Sequence, residues 1–336
     1  MIRLGIANQE TWGFFNEIFQ SLQKHYAVDV FVGREWKLPI FHSRVNRALF
    51  RYDLQKFLNN HDVVFFEWAS ELLIAATNLP KVCGIVTRLH RYEMYQWVDK
   101  IKWGNVDKII LVSHAKKQEF IEKYPDQADK IIVNGPSTSL DKFTPGSKSF
   151  NGDIGILCHL TPRKRVYDLI LTFYELLQIN NKLHLHIAGG PDPAFADYSF
   201  ALQQIVKDLG LTDNVTFYGN VAEPWDWYHK IDIFVSNSYS EGLQVAPMEA
   251  MASGCYCLSH RWYGADELMP SEYLFYTPEE LKEKVLKYCA LSEDEKMEQK
   301  KFMRTHAQMN FDIHQTINKI QQVIDEVAEK TTWSNK

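Results

Sequence analysis

Two glutamates with seven residues between them, Glu241 and Glu249, lie in the chemically richest stretch of this 336-residue chain. The stretch reads Ser236-Asn237-Ser238-Tyr239-Ser240-Glu241-Gly242-Leu243-Gln244-Val245-Ala246-Pro247-Met248-Glu249-Ala250-Met251-Ala252-Ser253-Gly254. Glu241 closes a polar loop, and Gly242 permits close backbone approach. A helix is expected to begin near Gln244 or Val245, with Pro247 tolerated in its first turn and Gly254 as its stop. The apolar run Ile231–Val235 precedes the loop and reads as a strand. The amino end of the helix is therefore expected at the carboxyl edge of a sheet, where its free N–H groups and positive dipole end suit a diphosphate. Glu249, about one and a half turns in, can reach a ribose, whose hydroxyls a carboxylate accepts. A second group, Arg163, Lys164 and Arg165, falls between a strand ending near Cys158 and a helix starting near Val166. Three cations at a helix entrance can neutralise a diphosphate. The bland alternative is an exposed basic turn.

The elements that must position these groups follow a strand–helix alternation that runs twice. Strand-length apolar runs fall at 2–7, 27–32, 62–67, 82–87, 106–112 and 130–133, with helical periodicity over Phe14–Gln23 and Ala115–Lys123. The stretch Phe143–Gly152, rich in Pro, Gly, Ser and Lys, reads as a linker. Strands are expected again at 153–158, 183–188, 214–218, 231–236, 255–259 and 273–276, with helices at 166–178, 198–209, 244–253 and 278–290 and a helical tail from 293 to about 330. Short continuous apolar strands alternating with helices predict α/β architecture: two doubly wound parallel sheets facing each other across a cleft, with ligands at the carboxyl ends of the strands.

Composition fits a soluble globular chain, with 46% apolar and 24% charged residues. Residues 1–150 hold 20 Lys/Arg against 16 Asp/Glu, and the remainder 17 against 26, so the halves differ in sign. Neither is basic enough for a nucleic-acid binder. The five cysteines form no CxxC pair and read as reduced thiols. No HxxH-type pair or DxD motif suggests a metal site. No GxGxxG follows the first strand, which argues against a dinucleotide-binding dehydrogenase. Met1–Ala7 is too short for a signal peptide, and no run approaches the ~20 apolar residues of a membrane span. A cytoplasmic protein, soluble or peripheral to a membrane, is expected. Arg44, Arg47 and Arg51 at helical spacing, preceded by Arg34 and Lys37, make a basic face that suits anionic lipid or simply water.

Glu241 and Glu249 followed by Ala250-Met251-Ala252-Ser253-Gly254 resemble the signature of family 4 glycosyltransferases, which have the GT-B fold. Asp107–Ala115, Ile131–Gly135, Leu140–Pro145 and Leu160–Val166 resemble further segments of that family in the same order. The resemblance covers nearly the whole chain. It implies an acceptor-side domain at 1–146, a nucleotide-sugar donor domain at 147–310, and a helix at 311–336 that packs back towards the first. It implies a retaining, metal-independent transfer from a UDP- or GDP-sugar to a hydroxyl acceptor, with no cofactor. The acceptor would be a glycan, a lipid-linked species or a small molecule.

By the same resemblance, Lys164 takes the family's phosphate-binding lysine position. His159 stands where an arginine is expected, so Arg163 is the substitute. Glu241 contacts the donor sugar or holds the diphosphate, Glu249 binds the ribose, and backbone N–H groups near Leu243 and Gln244 meet the phosphates. Gln244 replaces a glycine of the family, which narrows the sugar pocket or adds an amide to it. His90, ending the run Val86-Thr87-Arg88-Leu89, faces the sugar. The base lies by Gly219, Asn220 and Val221. Gly13 stands in a loop that the family makes glycine-rich, and Trp12 beside it either stacks on a sugar or fills the core. The rivals are a non-catalytic nucleotide-sugar-binding protein, or an epimerase or phosphorylase on the same fold.

Overall fold

A computed structural model describes residues 1–13, 15–34 and 42–334. The chain divides into two units, Met1–Pro136 with His314–Lys336, and Ser137–Ile313. In the first, strands β1 (Arg3–Ala7), β2 (Ala27–Val30), β3 (Val63–Phe66), β4 (Gly84–Leu89), β5 (Lys108–Leu111) and β6 (Ile131–Val133) alternate with helices α1 (Asn16–His25), α2 (His42–Asn60), α3 (Glu71–Thr77), α4 (Arg91–Met94) and α5 (His114–Lys123). The strands pair in parallel in the order β2-β1-β3-β4-β5-β6. Every residue of β3 and β4 is buried, as a parallel sheet covered on both faces requires.

The second unit holds β7 (Asp153–Leu157), α6 (Val166–Ile179), β8 (His184–Ala188), α7 (Ala196–Asp208), β9 (Val215–Gly219), α8 (Pro224–Tyr228), β10 (Ile233–Ser236), α9 (Val245–Ala252), β11 (Tyr256–His260), β12 (Leu274–Phe275), α10 (Pro278–Ala290) and α11 (Glu293–Asn310). Its strand order is β12-β11-β10-β7-β8-β9, again all parallel. The direction of winding reverses between β7 and β10, and in the first unit between β1 and β3. At such reversals the loops diverge and leave a crevice at the carboxyl edge. The tight return after β8 depends on Gly189, whose φ is +121°; a Cβ there would sit 1.8 Å from the Cys158 carbonyl oxygen.

The expected strands all form, within a few residues of their predicted limits. Phe14, at the start of a predicted helix, lies outside the described residues. The stretch 143–152 is not a loose linker. Phe143 is buried in the second core, and Lys148 donates to Asp232 at 3.1 Å. Asp232 also accepts the backbone N–H groups of Asn151, Gly152 and Asp153 at 2.9–3.0 Å. The tail is two helices: α11 ends at Asn310, and α12 (Ile313–Ser334) returns to the first unit. There Tyr26 donates to Asp325 at 2.9 Å, and Val327 packs so closely on Gly84 that a Cβ would meet it at 2.4 Å. All five cysteines are free thiols, and burial pushes Cys83 and Cys255 up to about 12. Among the described residues, no helix is long and apolar enough to cross a membrane.

Candidate active site

In the second unit, β7 and β10 are neighbours running the same way, so the loops that follow them leave at one edge. The loop after β7 makes a 3₁₀ turn over Pro162–Lys164 and reaches Arg165 in the left-handed conformation (φ 51°, ψ 39°). A non-glycine residue there costs on the order of 1–2 kcal/mol. Asn237, just past β10, holds that conformation by donating Nδ2 to the Arg165 carbonyl at 3.0 Å. Arg163 is tied to the same partner loop: its guanidinium donates to the Ser240 carbonyl at 2.8 Å. The basic turn and the loop that opens α9 therefore form one structure, and the cations do come together with the helix entrance.

Glu241 is the centre of that structure. Its Oε1 accepts from Lys164 Nζ at 2.7 Å, from the Arg163 guanidinium, and from Gln244 Nε2 at 2.9 Å. Ser236 Oγ donates in turn to Gln244 Oε1 at 2.5 Å. Burial alone would raise the Glu241 carboxyl; Lys164 and then Arg163 outweigh it and hold the group at about 2. Two cations and one carboxylate leave a net positive charge. The first turn of α9 adds N–H groups that have no helical acceptor. Gln244 is the N-cap of α9, Gly242 is buried, and Leu243 is partly buried.

Glu249 lies in α9, partly exposed. Tyr228, at the end of α8, donates its hydroxyl to Glu249 Oε2 at 2.9 Å. Burial lifts this carboxyl to about 7, against the opposing hydrogen bond from Tyr228. Asn220 and Val221 follow β9, two strands from β7, which places them roughly 10 Å along the same edge. Asn220 is exposed and packs on Gly190, where a Cβ would lie 2.3 Å from its Oδ1.

In the first unit, His90 follows β4. Its ring stacks on Trp68 at 4.3 Å, and its Nε2 lies 3.3 Å from Glu67 Oε1. Trp68 Nε1 donates to the Thr11 carbonyl at 3.4 Å, so the loop carrying Gly13 joins the same carboxyl edge. Trp12 packs on Phe15 and Phe19, part of the aromatic contacts of α1. Arg47 and Arg51 are exposed on α2, while Arg34 is engaged with Asp53 at 2.5 Å. Lys37 and the side chain of Arg44 lie outside the described residues. Among the described residues, no group of three or more His, Cys, Asp or Glu is placed to hold a metal ion.

Sequence reading missed Glu67, Arg88 and Tyr228. Arg88 did leave a signal, as a charge inside an otherwise uncharged strand, and Glu67 another, at the carboxyl end of β3. Tyr228 left none, because its hydroxyl meets Glu249 across 21 residues of chain.

Comparison with known proteins places this geometry in context. Residues 151–290 match the family Glycosyl transferases group 1. A D-inositol 3-phosphate glycosyltransferase of Catenulispora acidiphila is 27% identical over 164 residues, 44% of this chain and 38% of that protein. The mannosylfructose-phosphate synthase of Agrobacterium fabrum is 28% identical over 170 residues, 46% of this chain and 37% of that protein. The match thus spans less than half the length of these relatives. Among solved structures, Anabaena Alr3699/HepE in complex with UDP and glucose superposes with a TM-score of 0.78 at 18% identity, covering 97% of this chain and 100% of that one. Sucrose-phosphate synthase of Thermosynechococcus elongatus gives 0.74 at 13% identity, covering 97% and 99%. These likenesses show the fold, which is of the GT-B type.

Proposed function

From the match of residues 151–290 to the Glycosyl transferases group 1 family, we propose that this chain is a retaining glycosyltransferase moving a sugar from a UDP- or GDP-sugar to a hydroxyl acceptor. It needs no metal and no cofactor on this reading, and the acceptor is a glycan, a lipid-linked species or a small molecule. The observation that carries the proposal is the net positive cluster of Lys164, Arg163 and Glu241 at the entrance of α9. A diphosphate leaving group needs that charge.

Lys164, Arg163 and the N–H groups near Leu243 and Gln244 take the diphosphate, beside Gly242. Glu241 holds the two cations and contacts the donor sugar. Glu249 binds the ribose, and the base lies by Asn220 and Val221. His90 and the Gly13 loop serve the sugar on this reading. In a same-face displacement, the bond from the anomeric carbon to the phosphate oxygen breaks and the bond to the acceptor oxygen forms. The departing phosphate, stabilised by Lys164 and Arg163, accepts the hydroxyl's proton. The protein's contribution is positioning and electrostatic stabilisation.

A thermal-shift screen of UDP- and GDP-sugars tests the donor half of this reading. A ligand at 100 times its dissociation constant adds ~2.7 kcal/mol to stability, and no shift with any of them would remove the proposal. His159 and Gln244, which stand where the resemblance expects an arginine and a glycine, favour one alternative, a nucleotide-sugar-binding protein without turnover. Binding with neither transfer nor hydrolysis selects it. Peripheral membrane contact through Arg44, Arg47 and Arg51 is supported by the exposure of Arg47 and Arg51. Sedimentation with anionic liposomes at low salt tests it, and protein that stays in the supernatant ends the idea.

A further inference from the structure

A cavity of about 510 Å³ opens at the amino edge of the first sheet, the end away from His90 and the Gly13 loop. Its walls come from the residues that lead into β4, β5 and β6 and from one face of α12. The volume is in the range of small-molecule sites. Val106, Val327 and the buried Cys83 give it an apolar wall. Beside it β4 and α12 are pressed together: a Cβ on Gly84 would meet Val327 at 2.4 Å and Thr331 at 3.1 Å.

The polar lining is basic. Lys81, Lys108 and Lys130 come from the sheet side and Lys330 from α12, against Asp107 and Asp129. Lys81 is matched, donating to Asp107 Oδ1 at 2.6 Å and to the Asn105 carbonyl at 3.1 Å. Asp107 is also committed to β4, because its Oδ2 accepts the Ile85 N–H at 2.7 Å. Lys108 has a loose partner in Glu326, 3.7 Å away with its side chain 55% exposed. Lys130 has less. It is partly buried, donates to the neutral Trp103 carbonyl at 2.9 Å, and makes no ion pair among the described residues. Burial and then Lys81 push its ammonium down, and Asp107, Asp129 and Asp126 do not make up the difference. A cation drawn out of water, held by a neutral carbonyl and repelled by a second cation, is short of negative charge. Four lysines against two aspartates leave the lining two charges positive, and Glu326 offsets at most one of them from outside.

We propose that this cavity is a second anion site, taking a small molecule that carries a phosphate monoester. Such a group bears about −1.5 to −2 charge at neutral pH, which matches the surplus. Lysine ammoniums bind phosphate as point charges, and Lys130, Lys108 and Lys81 converge on one concavity. The rest of the molecule lies against Val106 and Val327. A ligand seated there touches both the sheet and α12, so it fastens that helix to the strands it covers. The site uses no residue of the Lys164–Glu241 cluster and stands whether or not the donor reading does.

Calorimetric titration in a phosphate-free buffer tests this, with glucose 6-phosphate and glycerol 3-phosphate as probes and glucose, inorganic phosphate and sodium chloride at equal ionic strength as controls. At least one ester is expected to bind, more tightly than inorganic phosphate, with no binding of glucose. Lys130→Gln, which keeps a donor for the Trp103 carbonyl, is expected to weaken the ester about tenfold or more, the loss of one charge-assisted contact. Lys164→Ala is expected to leave it unchanged. Binding of neither ester overturns the proposal, and inorganic phosphate binding as tightly overturns its ester part. Binding that survives Lys130→Gln but is lost in Lys164→Ala belongs to the donor cluster and also overturns it. Acetylation footprinting of the unaltered protein decides if Lys130→Gln does not fold or if both variants weaken binding. The ester, and not glucose, is then expected to protect Lys130 and Lys108, and unprotected lysines end the idea.

Discussion

Replacing Glu249 by Gln is expected to stabilise the protein in alkaline solution while weakening nucleotide binding. Burial lifts the Glu249 carboxyl from 4.5 to about 7, and the hydrogen bond from Tyr228 only partly offsets this. A displacement of that size corresponds to roughly 3 kcal/mol; water reaching the partly exposed side chain screens it to about 2 kcal/mol. Below pH 4.5 the group carries its proton in both folded and unfolded chains and has no effect. Between 4.5 and 7 the unfolded chain releases the proton and the folded chain keeps it, so stability falls as pH rises. Above 7 the full penalty applies. A glutamine keeps an oxygen for the Tyr228 hydroxyl and never ionises. Melting both proteins from pH 4 to 8 is expected to show similar midpoints at pH 4 and a variant about 4–8 °C higher at pH 8, for a unit of this size. The same variant is expected to gain less from added UDP or GDP, because a ribose loses its ionised acceptor. A glutamine variant that melts below the parent at pH 8, or with an offset independent of pH, would refute the reasoning.

Lys164→Ala removes one of the two cations on Glu241 and is expected to lower turnover more than tenfold in a folded enzyme; normal turnover eliminates phosphate neutralisation by this lysine. Activity is expected to survive excess EDTA, and a loss restored by added divalent ions refutes metal independence. Gly189→Ala sets a Cβ against the Cys158 carbonyl in a conformation L-residues avoid, with an expected cost above about 3 kcal/mol; a circular-dichroism melt within 2 °C of the parent (about half a kcal/mol at this size) contradicts that.

The strands were legible because each is a short apolar run ended by polar or glycine residues, and the α9 entrance because loop, helix and Gly254 follow one another directly. What was hidden depends on distant pairings. Asp232 draws Lys148 and three backbone N–H groups onto the second unit, so residues that look like a flexible connector become a fixed strap. Gln244 read as an odd substitution for glycine; only its bonds to Ser236 and Glu241 show that the amide is built into the loop. The break in the tail falls at Phe311, whose ring is buried and whose carbonyl accepts the Thr138 N–H at 2.9 Å. No periodicity announces that contact.

The return of α12 to the first unit has a consequence for how the protein is made. Gly84 in β4 waits for Val327, Tyr26 for Asp325, and Asn134 for the Thr316 carbonyl. Translation delivers the β1–β6 sheet before the β7–β12 unit, but its covering helix emerges from the ribosome only after that whole unit. Of the two units, the one begun before the other is therefore the one completed after it. A stop codon shortly after Asp312 would leave the later-made unit whole and expose the flank of the earlier one.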